Sequence, residues 1–456
     1  MCTKNYPCQY VYHFTHMSNL ARLFSTGLLA NNHPDFPKSN HLSVAEKTIQ
    51  ERRAKMAVTC GPRGVVHDYV PLYFSSLSPM LLAVINKKKI DQEDIVYFEF
   101  PINIIEKYNF VFTSAAANTE IPPTFYSDVK SLDLLSWEKI NSLEWKSPSD
   151  EVKQQRMAEL LIHNKLELKY AARFVVFSEK KRLELINIAK EAEFNLPQIQ
   201  VHDAHNRRHF FTDFAAGKPN DSCVAGPNEV KKTYKKVIRK YNDRTINENY
   251  RFEDIKVLLS HLRKDFGVLP YTKELIDLEV ENTVHNENVD KHVLSVVKIL
   301  KSSSEFQSLS ESNKNIVEVA AYLHDIGKGP KSRWLYSERN KKNNGKQKTD
   351  NKHPVRAAPM LIDIFCNYVK VIDEQEVKRI TFLVLYHDFF GDVMGNVNQN
   401  VGDNRSTDEI TKGFTYESSC IYMLFALSKA DSLSLSEEWW RDEKATEILD
   451  ILLRKE

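Results

Sequence analysis

Histidine and aspartate stand side by side in Ala320-Ala-Tyr-Leu-His324-Asp325-Ile-Gly-Lys328, and both are metal-ligating types. Neutral imidazole offers nitrogen to Zn, Fe or Mn, and aspartate is a hard oxygen ligand that can bridge two cations. Val317, Ala320, Ala321 and Leu323 form an apolar helical face that delivers the pair. Gly327 then ends the helix or lets another backbone approach closely, while Lys328 can face an anion. A single His-Asp pair proves little, since a helix end with one buried and one exposed polar residue has the same letters. Further ligand types follow at His292, His353, His387 and Asp431, each near a helix end or turn. In the first half of the chain the candidates are His13, Arg53 and Glu159. Each has a plain alternative: a satisfied core histidine, a solvated arginine beside Arg52, and a surface glutamate paired with Arg156 on a helix. Periodicity alone does not name an activity there.

The elements that must carry these residues fall into two styles. Tyr10–Thr15 alternates like a strand, and His16–Gly27 looks like a short helix that Ser18 can cap and Gly27 closes. Residues 31–40 are loop, Val44–Gln50 is helix-compatible, and Val65–Phe74 is a strand-like aromatic run. Ser78–Ile85 and Ile95–Phe100 are further apolar segments, Val111–Pro123 reads as an irregular loop, and Ala172–Phe177 closes as a strand. His202, Asp203, His205 and His209 suggest a metal cluster, although an exposed basic turn is the better account. After residue 250 the pattern is helical: Phe252–Phe266, Val289–Leu300, Asn315–His324, Pro354–Tyr368, Glu374–Tyr386, Ser418–Leu433 and Glu437–Leu452. The basic Lys331–Lys352 run is predicted to be a loop. The expected fold is therefore multidomain α+β: a mixed α/β domain over 8–212, a linker and basic helix over 213–249, and an all-helical domain over 250–456.

With 456 residues the chain is too long for one ordinary core. It is 42% hydrophobic and 27% charged with a formal charge of +2, so no overall basic field advertises nucleic acid. Six cysteines are scattered without a C-x-x-C pair, which argues against thiolate zinc sites and a disulfide framework. No run approaches the about 20 apolar residues of a membrane span, and no signal pattern opens the chain. A cytoplasmic protein without a membrane partner is expected.

Four stretches in one order resemble the DarT family of DNA ADP-ribosyltransferase toxins. They are Tyr12-His-Phe-Thr15 with Asn19-Leu20 and Gly27-Leu28, Ile49-Gln-Glu-Arg-Arg53, His67–Phe74 with Ser78-Pro-Met-Leu81, and Gln155–His163. The resemblance implies NAD as ADP-ribose donor and a base in single-stranded DNA, most often thymidine, as acceptor. It implies NAD-binding roles for His13, Phe14, Thr15, Asn19, Leu28 and Arg53, with Arg52 the alternative if the register slips. Glu159 matches the catalytic glutamate and Arg53 the catalytic arginine; DNA would lie along Thr113–Phe125 and near Tyr126. Leu72 and Leu77 depart from the family, which more often has an aromatic residue and an arginine there.

The ordered set His292, His324-Asp325, His353, His387 and Asp431 resembles the HD-domain metal-dependent phosphohydrolase superfamily over roughly residues 280 to 435. The resemblance implies two divalent metals, Mn, Fe or Zn. His292, His324, Asp325 and Asp431 would hold one; His353, His387 and a bridging Asp325 the other. Lys328 and Arg356 would neutralise phosphate on a nucleotide or other phosphoester substrate. Together the two halves imply a toxin-like or defence enzyme with a possible antitoxin partner. The alternatives are an HD phosphohydrolase, or a nucleotide sensor, whose first domain only recognises DNA.

Overall fold

The structure is a computed structural model. It describes residues 6–37, 42, 47–145, 147–203, 209–213, 218–245, 249–280, 287–335, 350–395, 397 and 399–454. His205 of the basic turn and the middle of the Lys331–Lys352 run lie outside the described residues. The chain forms two compact units, one of residues 1–85, 92–214 and 218–222, the other of residues 86–91, 215–217 and 223–456.

The first unit is built on an eight-stranded sheet. Its strands are β1 (Tyr10–His16), β2 (Tyr69–Tyr73), β3 (Ile95–Pro101), β4 (Phe110–Thr113), β5 (Phe125–Tyr126), β6 (Glu159–His163), β7 (Arg173–Val176) and β8 (Gln198–Val201), in the order β8-β7-β3-β1-β2-β6-β4-β5. Only β7 and β8 pair in parallel. Every residue of β3 except the last is buried, as expected of a central strand covered on both faces. Around the sheet lie α1 (Leu20–Thr26), α2 (Lys47–Lys55), α3 (Pro79–Asn86), α4 (Asp150–Arg156) and α5 (Glu179–Glu191). Gly27 ends α1 with φ of 74°, and a Cβ there would meet the Leu166 carbonyl at 2.8 Å, so only glycine fits. Val111–Thr113 belongs to β4 rather than to a loop: all three residues are buried, and Phe110–Phe112 pairs with Leu160–Ile162.

The second unit has its own core. Its main helices are α6 (Pro227–Asn242), α7 (Ile255–Lys264), α8 (Val289–Ser302), α9 (Glu311–Leu323), α10 (Glu374–Tyr386), α11 (Phe389–Met394), α12 (Ser418–Leu435) and α13 (Asp442–Leu453). Phe252–Asp254 is not the first turn of a helix: it pairs in parallel with Val369–Val371, and Asp254 then caps α7 by accepting from Val257 N. In α6, Val230, Val237 and Tyr241 are buried while Lys232, Lys235 and Lys236 are exposed, so the basic segment is an amphipathic helix. Among the described residues, no helix is long and apolar enough to cross a membrane.

Candidate active site and metal centre

In the first unit the decisive local event is the end of α4. Ser149 caps the helix and accepts from Val152 N, acidic Asp150 and Glu151 occupy its first turn, and Lys153 and Arg156 its last. The helix stops at Arg156, and the β-branched and leucine-rich run that follows becomes β6. Glu159 is thus the first residue of a strand, not a helical neighbour of Arg156. Arg156 itself is buried and donates to Ser147 Oγ and Ser142 O.

Glu159 is 2% exposed and faces Arg53, 7% exposed, from the last turn of α2. Arg53 Nη1 lies 2.9 Å from both carboxylate oxygens, and Ala117 N donates to Oε1 at 3.1 Å. Thr113 Oγ1 accepts from Glu159 N. Burial opposes the charge on Arg53, but the Glu159 carboxylate outweighs it and holds the guanidinium pKa above its ordinary value. The Tyr73 hydroxyl, paired in register with Glu159, is also pushed up, by burial and then by that carboxylate. Arg52 behaves differently: its side chain is half exposed and its nearest acidic partner, Glu120, is 3.8 Å away.

His13, Phe14, Thr15, Leu28 and Arg53 line one cavity of about 340 Å³, with Asn31, His67 and Tyr73. His13 Nδ1 donates to Pro71 O at 2.8 Å, which sets its tautomer. Asn19 does not line the cavity; it donates to Thr15 Oγ1 and exchanges two hydrogen bonds with the Leu42 backbone, so it braces the wall. Leu72 and Leu77 are buried away from the cavity. Tyr73 and the Ala117 amide are not singled out by the sequence: the first lies within the aromatic run Val65–Phe74, and the second has no side-chain signal.

In the second unit, two histidines end helices in the same way. α9 stops at His324 and α10 at His387. Each donates Nδ1–H to the carbonyl three residues back, Ala321 O at 2.7 Å and Val384 O at 2.8 Å, satisfying a carbonyl the helix end leaves over. His353 does the same to Asp350 O, and His292 Nδ1 bonds Ser434 Oγ, which donates onward to Asp431 O. With Nδ1 engaged in this way, all four rings turn Nε2 toward the carboxylates. Gly327 allows the approach of His353: a Cβ there would be 1.9 Å from the His353 carbonyl.

Those Nε2 atoms converge on carboxylates. Asp325 Oδ2 lies 3.6 Å from His292 Nε2 and 3.5 Å from His324 Nε2, while Oδ1 lies 3.3 Å from His353 Nε2. Asp431 Oδ1 is 3.0 Å from His292 Nε2. His353 and His387 face each other Nε2 to Nε2 at 3.0 Å. His324 Nε2 and Asp325 Oδ1 are buried without a hydrogen-bond partner. Acceptors crowded together and unsatisfied are costly unless a cation joins them, and the donor set suits Mn, Fe or Zn. Two groups, His292-His324-Asp325 and Asp325-His353-His387, have the closeness a metal needs. Burial pushes His324 down to about 4, which keeps it a neutral ligand. Burial would raise Asp325, but Lys328 at 2.6 Å and the histidines hold it well below the carboxylate range. The cavity over this centre has about 560 Å³ and is lined by Lys328 and Trp439 among others. Arg356 does not line it; its Nε is committed to Asp350 at 3.0 Å.

Known proteins agree with both halves. Residues 12–211 match the family model "ssDNA thymidine ADP-ribosyltransferase, DarT", and residues 289–387 match the HD domain model. A DNA ADP-ribosyl transferase of Thermus sp. (strain 2.9) is 31% identical over 197 residues, covering 42% of this chain and 92% of the relative. The chain belongs to the DarT family. Solved structures of the Thermus sp. 2.9 DarT resemble the DarT unit: the complex with ADP-ribosylated single-stranded DNA has 31% identity, TM-score 0.40, and covers 44% of this chain and 97% of that one. The complex with NAD+ has 27% identity, TM-score 0.38, and covers 43% and 98%. The DarT match ends at residue 211, so the HD domain is an addition to it.

Proposed function

We propose that the first unit transfers ADP-ribose from NAD+ to an unpaired base of single-stranded DNA, thymine first, and that the second hydrolyses a phosphoester. The buried Arg53–Glu159 pair beside the His13–Thr15 cavity carries the first reading. In this transfer the bond between nicotinamide and ribose C1′ breaks, and nicotinamide leaves with the electron pair. Thymine N3 then bonds to C1′ as its proton departs. Positive charge grows on the ribose only in the transition state, so a fixed carboxylate at Glu159 lowers the barrier. Arg53, held charged by Glu159, is no general base; it positions the carboxylate and faces anionic groups. Ile121, 85% exposed in the loop after β4, supports DNA contact along Thr113–Phe125, since an apolar side chain can cover an unpaired base.

Mass-resolved modification of single-stranded homopolymers by the purified chain with NAD+ is the test. Labelling of oligo-dT over duplex, RNA and protein is expected. Labelling of guanine alone would overturn the base assignment.

For the second unit the carrying observation is the set of inward-facing Nε2 atoms of four histidines around Asp325. When bound, two metals polarise a phosphoryl oxygen and lower the pKa of water. Lys328 orients Asp325 from the cavity side, and Trp439, 44% exposed at the rim, supports a substrate that carries a base. Nucleotides, cyclic dinucleotides and short nucleic acids incubated with the metal-loaded chain test this. A loaded chain inactive across the panel would favour a nucleotide sensor. The five described cysteines are free thiols, which supports a cytoplasmic setting. A DNA-modifying activity of this kind also supports an antitoxin-like partner that restrains it.

A further inference from the structure

One carboxylate at the metal centre is not explained by the ligand set above. Asp388 follows His387 in the turn between α10 and α11, at the N-cap position of α11, and its side chain makes no capping bond there. Its Oδ2 accepts from Lys88 Nζ at 3.1 Å. Its Oδ1 is buried, accepts no hydrogen bond, and lies 3.1 Å from His387 Nε2. His387 has already given its Nδ1 proton to Val384 O. Oδ1 of Asp325, Nε2 of His353, Nε2 of His387 and Oδ1 of Asp388 therefore follow one another in a row, at 3.3, 3.0 and 3.1 Å. A second proton on His387 would satisfy only one of the other three. A cation held by the two imidazoles has a carboxylate oxygen at either end of that row.

Lys88 gives a second, independent observation. It comes from residues 86–91, a short segment that belongs to the second unit although the DarT match runs through it. Its Nζ is buried between Asp388 and Asp392, 2.7 Å from the latter, and Arg405 shares Asp392 from the other side at 3.1 Å. Its backbone takes φ of 53°, the left-handed region that a residue with a Cβ seldom enters. Such a conformation persists where the surroundings specify it, commonly at a functional site. Asp91 fixes the end of the same segment by accepting from Asn228 N and Glu229 N at the start of α6.

We propose that Asp388 is a further ligand of the second metal, and that Lys88 is the positioning residue that holds its other oxygen. This rests on the metal-centre reading above and adds to it a ligand and a support. Lys88 turns Oδ1 toward His387 by occupying Oδ2, and it offsets the charge of Asp388 and Asp392 beside the site. Outer partners of metal-ligating carboxylates typically change affinity by about 10- to 100-fold when removed.

The test uses the full chain, stripped of metal and titrated with Mn²⁺, followed by metal content and electron paramagnetic resonance. The parent chain should take two Mn²⁺ and show an exchange-coupled pair. Asp388→Asn should keep the first Mn²⁺ at unchanged affinity, bind the second at least tenfold more weakly, and show an isolated-ion spectrum at one equivalent. Asp388→His, which restores a ligand, should recover the second ion. Lys88→Met should weaken only the second ion, by roughly tenfold; a lysine that merely stabilised the fold would lower the melting temperature and leave both affinities alone. Two tightly bound, coupled Mn²⁺ in Asp388→Asn would overturn the proposal. If that variant does not fold, the same titration on Lys88→Met decides it, and unchanged affinities there reject the role of Lys88. A parent chain that binds no Mn²⁺ would instead remove the metal centre itself, before any variant is compared.

Discussion

Glu159 and Arg53 form a buried ion pair, and such a pair constrains which substitutions are informative. Removing the carboxylate as Glu159→Ala leaves the Arg53 guanidinium buried without its partner, a change that typically costs about 3–5 kcal/mol. Glu159→Gln keeps the shape and one carbonyl acceptor for Arg53 and the Ala117 amide while deleting the charge. We expect this variant to remain folded, to retain NAD+, and to lose roughly 100- to 1,000-fold in transfer rate. Single-turnover labelling of a fluorescent oligo-dT measures it, and a folded variant at the parent rate would remove Glu159 from the chemistry. Arg52→Ala is the matched control. Its side chain is half exposed and 3.8 Å from Glu120, so stability should change by no more than about 0.5 kcal/mol. Transfer should stay close to that of the parent chain. A larger loss in Arg52→Ala than in Arg53→Ala would shift the functional arginine by one position.

At the scale of elements, positions are set by backbone approach as much as by side chains. Gly327 sits where the His353–Ala357 backbone crosses, and a Cβ there would lie 1.9 Å from His353 O and 2.7 Å from Ala357 N. Both neighbours are backbone atoms that cannot rotate away. Gly327→Ala should therefore push His353 from Asp325 and lower metal content toward one ion per chain, read by elemental analysis of the loaded protein. Two ions retained at parent affinity would show that the crossing gives way elsewhere. This close approach was legible in the sequence as one of two readings of Gly327, and so was the His-Asp pair, because a helix end puts chemistry at a fixed place in a local pattern. The mixed first half and helical second half were legible for the same reason: their hydrophobic periods differ. Glu159 was harder. Its neighbours fit a helix with Arg156 and a strand equally well, and what decides is Leu160–Ile162 pairing with β4. Asp388 and Lys88 were not legible as partners, since 300 residues separate them and no local pattern encodes a contact of that range.

At the scale of the molecule, each unit has a hydrophobic core of its own: among the described residues, the clusters around the sheet and the cluster around the metal centre share no residue. Two cores allow two unfolding transitions, and the ligands of each unit should act on its own transition. A ligand that binds only the folded state stabilises it by RT ln(1 + [L]/Kd), about 4 kcal/mol at a thousandfold excess over Kd. For a unit of this size each kcal/mol moves the midpoint by roughly 2–4 °C. Loading with Mn²⁺ should therefore raise one calorimetric transition by roughly 10 °C and chelation should return it. The other transition should respond to NAD+ and not to metal. DNA labelling should survive chelation, because the Glu159 carboxylate at the transfer site is already engaged by Arg53 and the Ala117 amide and its chemistry needs no metal ion. Retaining the metal-sensitive transition in a Glu159→Gln chain, and the NAD+-sensitive one in a His324→Ala chain, would assign each to its unit. Metal that moved neither transition would leave the inward-facing histidines without the cation their geometry calls for, and labelling lost on chelation would place a metal in the transferase chemistry.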